Sequence, residues 1–421
     1  MEYKLNIKTS ELLRIFSSAL DLVSPLISGH QVRVAYIAFR LAKEHGVSKE
    51  RLDKIVKAGM IHDIGATKVS EIDEIIRPDF EGDAKHEIVG AKYLENSIFK
   101  DSAIFVRHHH RAWNYGEGKT FNGYEVPIEC QILHLADRID TYINKSEYIL
   151  NQVPDIKVKV EGNIGLLFVP ELVETFLKLS ENESFWLYTV SKNVSDVLFK
   201  EAELDEMDLN VDELYQVTKW FANIIDFRSR FTAVHSRGVS TSAGAIATAM
   251  NCDAEFVKIL EISGFLHDLG KLAVPNTILE KNGKLDVNEY AIIRSHTFHT
   301  YNVLSVIKDP NFQLINEYAS YHHEKLDGSG YPFHIKGEDM KLGSKIMCVA
   351  DIFTAIAEDR PYRDAMKKEM VIRVIQDEEN RGHLDTAIVK ALIDNYDEIV
   401  EKMKNSQKFA REEYENFWSN I

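Results

Sequence analysis

The chain has 421 residues, which is long for one ordinary hydrophobic core and predicts two domains of roughly 200 residues each. Its content of 45% hydrophobic and 28% charged residues is typical of a globular protein. The formal charge of −16 argues against a long nucleic-acid partner, because a phosphate backbone needs a basic surface, but it does not exclude a small anion in a local cationic pocket.

Signals for export or membrane insertion are not evident in the sequence. The stretch MEYKLNIKTSELLRIF has charges where a signal peptide is apolar, and no apolar run approaches the roughly 18 residues of a membrane span. Cys130, Cys252 and Cys348 stand singly, so neither a disulfide framework nor a thiolate metal site is expected. We therefore expect a cytoplasmic protein without a membrane partner.

Apolar residues recur at three- and four-residue steps along most of the chain, which predicts an all-α fold. The best strand candidate is VPDIKVKV (153–160), which is also compatible with an extended connection. We predict a first domain over 1–195, a linker over 196–214 that is equally compatible with a helix, and a second domain over 215–421. The predicted helices cover residues 11–23, 31–45, 49–61, 254–267, 287–307, 343–358 and 386–403.

The two halves repeat one order of histidines and aspartates. In each half an early histidine precedes a His-Asp dipeptide by 32 positions, and a further histidine, a histidine pair and an aspartate of an I-x-x-x-A-D pattern follow. The spacing from pair to aspartate matches between the halves when the first pair is His109/His110, which we prefer to His108/His109. The first-half set is His30, His62, Asp63, His86, His109, His110 and Asp137, and the second-half set is His235, His267, Asp268, His296, His322, His323 and Asp351.

Imidazole and carboxylate groups are suitable ligands for Fe, Mn or Zn. A single histidine is more often a core or surface residue than a ligand, and the His-Asp dipeptide alone is common. Seven such residues in a repeated order are far more specific, and seven ligands are about the number that two metals with open positions use. We interpret five other histidines as ordinary residues: His45, His134, His299, His334 and His383.

The second half resembles an HD-GYP domain, a subgroup of the HD metal-dependent phosphohydrolase superfamily. The matching residues are His235, His296 and the segments HDLGK (267–271), HHEKLDGSGYP (322–332) and ADIFTAIAEDRPYR (350–363). The resemblance implies an all-helical fold of two tandem HD-type domains and a binuclear or trinuclear centre of Fe or Mn. It also implies hydrolysis of a cyclic dinucleotide, above all cyclic di-GMP, to linear pGpG or GMP.

Through this resemblance the second-half set corresponds to the family's metal ligands, with Asp268 as the bridging carboxylate. Lys271 resembles the lysine that meets the scissile phosphate. Phe231 stands where some members carry a carboxylate for a third metal, so we expect two divalent ions, Fe or Mn. The residues that resemble the substrate side of the site are Lys271, Gly330, Tyr331, Pro332, Arg360 and Arg363.

The first half resembles an HD domain whose ligand positions are all filled by the first-half set. Ala66 stands where Lys271 stands in the second half, and no Gly-Tyr-Pro sequence follows the histidine pair. We therefore predict a degenerate, regulatory or structural domain. It either binds metal without turnover or carries a vestigial site.

Other functions of this superfamily remain open. A 3′,3′-cyclic GMP-AMP phosphodiesterase is the nearest alternative, whereas a nucleotidase or a (p)ppGpp hydrolase would not be expected to carry the GYP and RPYR sequences. A non-catalytic scaffold would use the GYP loop to meet signalling partners or to form a homodimer. Lys271 and the full ligand set favour the enzyme.

Overall fold

The computed structural model describes residues 5–24, 27–66, 85–226, 234–281, 283–359 and 364–419. Helices make up most of these residues, and the strands are two-residue segments paired in two small ladders. The all-α prediction is therefore confirmed. Phe231, Arg360 and Arg363, to which the sequence assigns roles, lie outside the described residues.

The chain divides into two compact units. The N-terminal unit covers Leu12–Glu206, and the C-terminal unit combines the residues up to Glu11 with those from Met207 onward. The start of the chain joins the C-terminal unit because strand β1 (Ile7–Lys8) pairs antiparallel with β4 (Asp208–Leu209). The division falls inside the segment 196–214, while the predicted domain boundaries themselves stay a prediction.

The N-terminal unit is built from ten helices among the described residues, the first of which begins in the C-terminal unit. A short hairpin of β2 (Thr120–Phe121) and β3 (Tyr124–Glu125) interrupts them, and 3₁₀ segments lie at Lys100–Ser102 and Asn114–Lys119. The helices are α1 (Thr9–Asp21), α2 (His30–His45), α3 (Lys49–Ile61), α4 (Lys85–Glu95), α5 (Ala103–Arg107), α6 (Ile128–Thr141), α7 (Ile149–Glu161), α8 (Pro170–Leu179), α9 (Glu183–Thr189) and α10 (Val194–Ala202).

The described part of the C-terminal unit contains eleven helices. A 3₁₀ segment, Leu269–Ala273, follows the third of them. The helices are α11 (Val211–Asp226), α12 (His235–Ala249), α13 (Ala254–Leu266), α14 (Asn276–Leu279), α15 (Val287–Arg294), α16 (His296–Leu304), α17 (Pro310–Ser320), α18 (Leu342–Ala357), α19 (Lys368–Asn380), α20 (Thr386–Asp394) and α21 (Tyr396–Ser419).

The strand predicted at 153–160 is wrong, because these residues belong to α7. The alternation in IKVKV imitates the two-residue period of a strand. The residues of α7 that are buried nevertheless recur at three- and four-residue steps, as one helix face requires. They are Ile149, Gln152, Ile156 and Val160.

Two segments predicted as single helices are each two helices in the structure. The segment 287–307 breaks at Ser295, between α15 and α16, and 386–403 breaks at Asn395, between α20 and α21. The apolar periodicity continues across both breaks and therefore does not reveal them. The first break matters for function because it makes His296 the first residue of a new helix.

In each unit, a glycine allows close packing between two helices. One helix begins with the first histidine of the set (α2 or α12), and the other ends just before the His-Asp dipeptide (α3 or α13). A Cβ atom on Gly264 of α13 would lie 2.4 Å from the Cα atom of Ser240 in α12. In the N-terminal unit, a Cβ atom on Gly59 of α3 would lie 2.7 Å from the Cα atom of Ala35 in α2. Only a residue without a side chain permits this approach.

We predict that Gly65→Ala destabilises the N-terminal unit by about 1–3 kcal/mol, the usual cost of overpacking a core. The added Cβ atom would lie 2.2 Å from the backbone oxygen of His86, so α4 would have to shift. Urea denaturation measures the change. Gly162→Ala in the same unit is the control, since its nearest neighbour is 3.3 Å away. Equal stability of the two variants would contradict the close packing.

Candidate metal centres

The C-terminal unit brings the second-half set together in one cluster. The residues come from distant parts of the chain: α12 and α16 begin with a histidine of the set, and α13 and α17 are followed by the others. Asp351 lies within α18. Two groups of three have ligand atoms within 4.8 Å of one another, namely His235, His267 and Asp268, and His296, His322 and His323.

Backbone carbonyl groups orient three of these imidazole rings. Nδ1 of His267 lies 2.7 Å from the oxygen of Gly264, Nδ1 of His296 lies 2.6 Å from that of Ile293, and Nδ1 of His322 lies 2.7 Å from that of Ala319. When Nδ1 donates a proton to such a carbonyl, Nε2 keeps its lone pair for a metal ion. All three Nε2 atoms face the cluster.

Asp268 lies between the two groups of histidines. Its Oδ2 is 3.1 Å from Nε2 of His267, and its Oδ1 is 3.5 Å from Nε2 of His296. Nε2 of His235 is 3.3 Å from Oδ1 of Asp351. A carboxylate whose two oxygens face separate sets of nitrogen atoms is placed to bridge two cations.

The protonation states of His296, His322 and Asp268 fit metal binding. Burial lowers the pKa of His296 to about 3 and that of His322 well below its usual value, so both rings are neutral, as a metal ligand must be. Burial raises the pKa of Asp268, but His267 and Lys271 outweigh it and hold that pKa well below its usual value.

Two buried atoms of the cluster lack a hydrogen-bond partner among the described residues, namely Nε2 of His267 and Oδ1 of Asp268. Leaving such atoms buried and unpaired is costly, and a metal ion would satisfy both. The donor set therefore fits divalent cations.

An outer carboxylate, which the sequence analysis missed, holds His235. Oε1 of Glu358 lies 3.1 Å from Nδ1 of His235, and Nε2 of Gln407 donates to Oε2 of Glu358 at 2.8 Å. Burial lowers the pKa of His235, but Glu358 and Asp351 raise it to about 10. Glu358 follows Asp351 by seven residues, two helical turns, and this spacing could have indicated that both lie on one face.

Of the residues predicted to meet substrate, Lys271 and Tyr331 lie at the cluster. Nζ of Lys271 donates to Oδ2 of Asp268 at 2.5 Å, and the Lys271 side chain is 21% exposed. Tyr331 is the central residue of the Gly-Tyr-Pro sequence, and the centre of its ring lies 4.9 Å from that of His323. The backbone N–H group of Tyr331 donates to the backbone oxygen of His323 at 3.1 Å.

Gly330 is required where the loop of Tyr331 passes close to the preceding chain. A Cβ atom on Gly330 would lie 2.4 Å from the Cα atom of Glu324. The buried Glu324 carboxylate also accepts the backbone N–H groups of Phe333 at 2.7 Å and Ile335 at 3.1 Å. These contacts hold the loop against the segment that carries the histidine pair.

The N-terminal unit brings the first-half set together in the same manner. Oδ2 of Asp63 is 3.2 Å from Nε2 of His62, and its Oδ1 is 3.5 Å from Nε2 of His86. Asp140, which the sequence analysis also missed, holds His30 through Nδ1 at 2.7 Å. The two groups with ligand atoms within 4.8 Å of one another are Asp63, His86, His109 and His110, and His30, His62 and Asp137.

His109 and His110 are the members of the histidine triplet that reach the N-terminal cluster. The ring of His108 instead packs on that of Phe121, with 5.1 Å between the ring centres. Nε2 of His30, Nε2 of His62 and Oδ1 of Asp63 are buried without a hydrogen-bond partner among the described residues. This donor set also fits divalent cations.

The two clusters differ in where their positive charge lies. Ala66 cannot supply a cation. The neutral side-chain amide of Gln31 instead donates to Oδ2 of Asp63 at 3.0 Å, and this oxygen corresponds to Oδ2 of Asp268, which accepts from Lys271 in the C-terminal cluster. A cation is found instead at Asp137, whose Oδ2 accepts from Nε and Nη2 of Arg138 at 3.0 and 2.6 Å. The Arg138 side chain is only 2% exposed, so it is not available to a substrate.

Comparisons with known proteins agree with this arrangement. Models of the HD domain match residues 27–142 and 219–388. The fold resembles the crystal structure of the cyclic GMP-AMP specific phosphodiesterase V-cGAP3 of Vibrio cholerae, with a TM-score of 0.65 and 22% identity over 93% of this chain and 98% of that one. At this identity the likeness shows the fold alone.

Three curated relatives match different shares of the chain. The 3'3'-cGAMP-specific phosphodiesterase 1 of V. cholerae is 28% identical over 93% of this chain and 92% of its own length. The 3'3'-cGAMP-specific phosphodiesterase 3 of that organism is 32% identical over 66% of this chain and 58% of its own length. A cyclic di-GMP phosphodiesterase of Thermotoga maritima is 34% identical over 39% of this chain and 45% of its own length.

The helical fold and the two clusters of histidines and aspartates define a protein with two HD domains, each with residues suited to bind metal ions. The chain belongs to the HD domain family, with one HD domain in each half, and the resemblance inferred from the sequence is confirmed.

We predict that Asp268→Ala lowers the metal content of the C-terminal centre, because it removes the carboxylate that faces both groups of histidines. Elemental analysis of the purified full chain, beside wild type, measures the loss per chain. Asp377→Ala, at an exposed position on α19, is the matched control and should keep the wild-type content. Full metal content in Asp268→Ala would exclude the bridging role.

Proposed function

We propose that the chain is a metal-dependent phosphodiesterase that hydrolyses a cyclic dinucleotide, and that the C-terminal unit performs the reaction. The observation that carries the proposal is the ion pair of Lys271 with Asp268, since it brings a partly exposed cation to the centre of the ligand cluster. The curated relatives are phosphodiesterases of cyclic dinucleotides by name, and they support the same activity.

Cyclic di-GMP is the first proposed substrate, with linear pGpG or GMP as the product. The second candidate is 3′,3′-cyclic GMP-AMP. The relative that this chain matches over 92% of the relative's length is named as a phosphodiesterase of that compound. Both substrates present the same chemistry to the centre, namely a phosphodiester bond beside a purine nucleoside.

The proposed centre uses the second-half set as ligands for two divalent ions, Fe or Mn. Such ions, when bound, supply Lewis-acid activation of water and of the phosphoryl oxygens. Lys271 adds a fixed positive charge where negative charge develops on the phosphate. Arg360 and Arg363 are proposed to bind the second phosphate or a guanine, with Gly330, Tyr331 and Pro332 forming the adjacent wall.

The N-terminal unit is proposed to bind metal without turnover. Its first-half set offers a complete donor set, while Ala66 supplies no cation at the position of Lys271 and the Arg138 side chain is buried. Such a unit would act on the other by shifting the population of its conformations.

The scaffold alternative is weaker for one chemical reason. A protein that only displays the GYP loop to a partner or to a second copy has no need for Lys271 at the cluster. Contacts of that loop with signalling proteins and a homodimer stay predictions, as does a cytoplasmic location. Among the described residues, no helix has both the length and the apolar character needed to cross a membrane.

We predict that Lys271→Ala lowers kcat by about 10- to 1,000-fold while the metal content stays unchanged, because the variant loses an electrostatic stabiliser and no ligand. Hydrolysis of cyclic di-GMP and of 3′,3′-cyclic GMP-AMP should be measured beside elemental analysis. Lys404→Ala, exposed on α21, is the control. Loss of metal in Lys271→Ala would instead assign the lysine to holding the centre together.

We also predict that Asp63→Ala in the full chain lowers the total metal content but leaves hydrolysis active. The reason is that Asp63 belongs to the N-terminal cluster, which has Ala66 where the catalytic lysine stands in the other. Elemental analysis and steady-state rates test both parts. Abolished hydrolysis in a folded Asp63→Ala variant would refute the division of labour between the two clusters.

A further inference from the structure

Arg294, the last residue of α15, lies beside the loop of Tyr331. Its guanidinium carbon is 4.7 Å from the centre of the Tyr331 ring and 5.9 Å from that of Tyr290. A guanidinium group that faces aromatic rings at these distances is held by a cation–π interaction. The position of Arg294 is therefore defined, although the residue is partly exposed.

The hydrogen-bond donors of this guanidinium group remain unused within the part of the chain that the structure describes. No described side chain or carbonyl forms a hydrogen bond or ion pair with it. Contact with a ring face leaves the N–H groups in the guanidinium plane free to meet an oxyanion in a bidentate manner. In a chain with a formal charge of −16, such a cation is well suited to a phosphate ligand.

Arg294 stands close to the metal centre but outside it. The Tyr331 ring is near both the guanidinium group of Arg294 and the ring of His323, whose centre is 4.9 Å from that of Tyr331. Lys271 instead contacts Asp268 within the cluster. Among the described residues, one cation thus contacts a carboxylate of the cluster and a second lies beside the GYP loop, and a cyclic dinucleotide has two phosphodiester groups on opposite sides of its ring.

Exposed aromatic residues accompany Arg294. Tyr290 is 50% exposed, and α15, on which it lies, buries none of its residues. Phe298, 45% exposed, follows on α16 and its ring centre is 6.4 Å from that of Phe333 in the loop. An exposed ring beside a phosphate-binding cation is the usual platform for a nucleobase.

We propose that Arg294 and Tyr290 form a nucleotide subsite of the C-terminal domain. Arg294 binds the phosphodiester group that is not cleaved, which leaves a guanine as the proposed partner of Arg360 and Arg363, and Tyr290 stacks on the neighbouring purine. The subsite rests on the proposed function and deepens it, since it names residues that recognise the substrate and lie outside the ligand set and the GYP loop.

Arg294→Lys separates this role from a merely structural one. A lysine keeps the positive charge that holds the Tyr331 ring, but it presents a point charge instead of a planar fork. If Arg294 served only to position the loop, lysine would replace it. If Arg294 binds phosphate in a bidentate manner, lysine and alanine are both poor substitutes.

The test is equilibrium binding of a hydrolysis-resistant bis-phosphorothioate analogue of cyclic di-GMP, and of the 3′,3′-cyclic GMP-AMP analogue, to the metal-loaded full chain. We expect Arg294→Ala and Arg294→Lys to raise Kd by about 10- to 100-fold, the scale of a lost charge-assisted bidentate contact. Tyr290→Ala should raise Kd by about 5- to 100-fold through lost stacking. Metal content should stay at the wild-type level in all three variants.

The matched control is Arg373→Ala, which removes an exposed arginine on α19 and should bind as wild type does. An unchanged Kd in Arg294→Ala, wild-type binding by Arg294→Lys, or loss of metal in either variant would each overturn the subsite. These outcomes leave the proposed function intact if wild type binds and hydrolyses the cyclic dinucleotides. A wild-type chain that does neither would refute the function and the subsite together.

Discussion

Each of the two domains depends on its own buried carboxylate, which lies between two sets of imidazole nitrogens. Asp268 and Asp63 each turn one oxygen toward the histidine of their own dipeptide and the other toward a histidine from a separate helix. Burying such groups is unfavourable unless each finds a partner. The helices that carry them must therefore meet at one point, and the close packing at Gly59 and Gly264 makes this meeting possible.

The two centres keep the same ligand geometry while placing their cations differently. Lys271 contacts the shared carboxylate from a partly exposed position, whereas Arg138 contacts Asp137 from a buried one. Both arrangements offset negative charge in a cluster that contains two carboxylates. Of these two cations, only Lys271 is partly exposed, so the two centres differ in the cation that they present to a ligand.

Much of the fold and of the two clusters could be predicted because the relevant signals are local or repeated. Three- and four-residue periodicity predicts helices, and the matched order of histidines and aspartates predicts which residues converge, including His110 in place of His108. The wrong strand at 153–160 and the missed break at Ser295 have one cause. A short alternation of residues is compatible with both a strand and a helix, and an apolar pattern that continues across a helix break does not reveal it.

The helical class, the duplication and the candidate ligands follow from residue type and from spacing along the chain, so they can be read without a structure. The neighbours of each candidate ligand become visible once the helices are packed. Glu358 meets His235 across 123 positions of sequence, and Arg294 meets Tyr331 through the packing of α15 against a loop. Such contacts depend on how helices pack over long separations, and helix packing is set by the whole core of a domain, which no local pattern encodes.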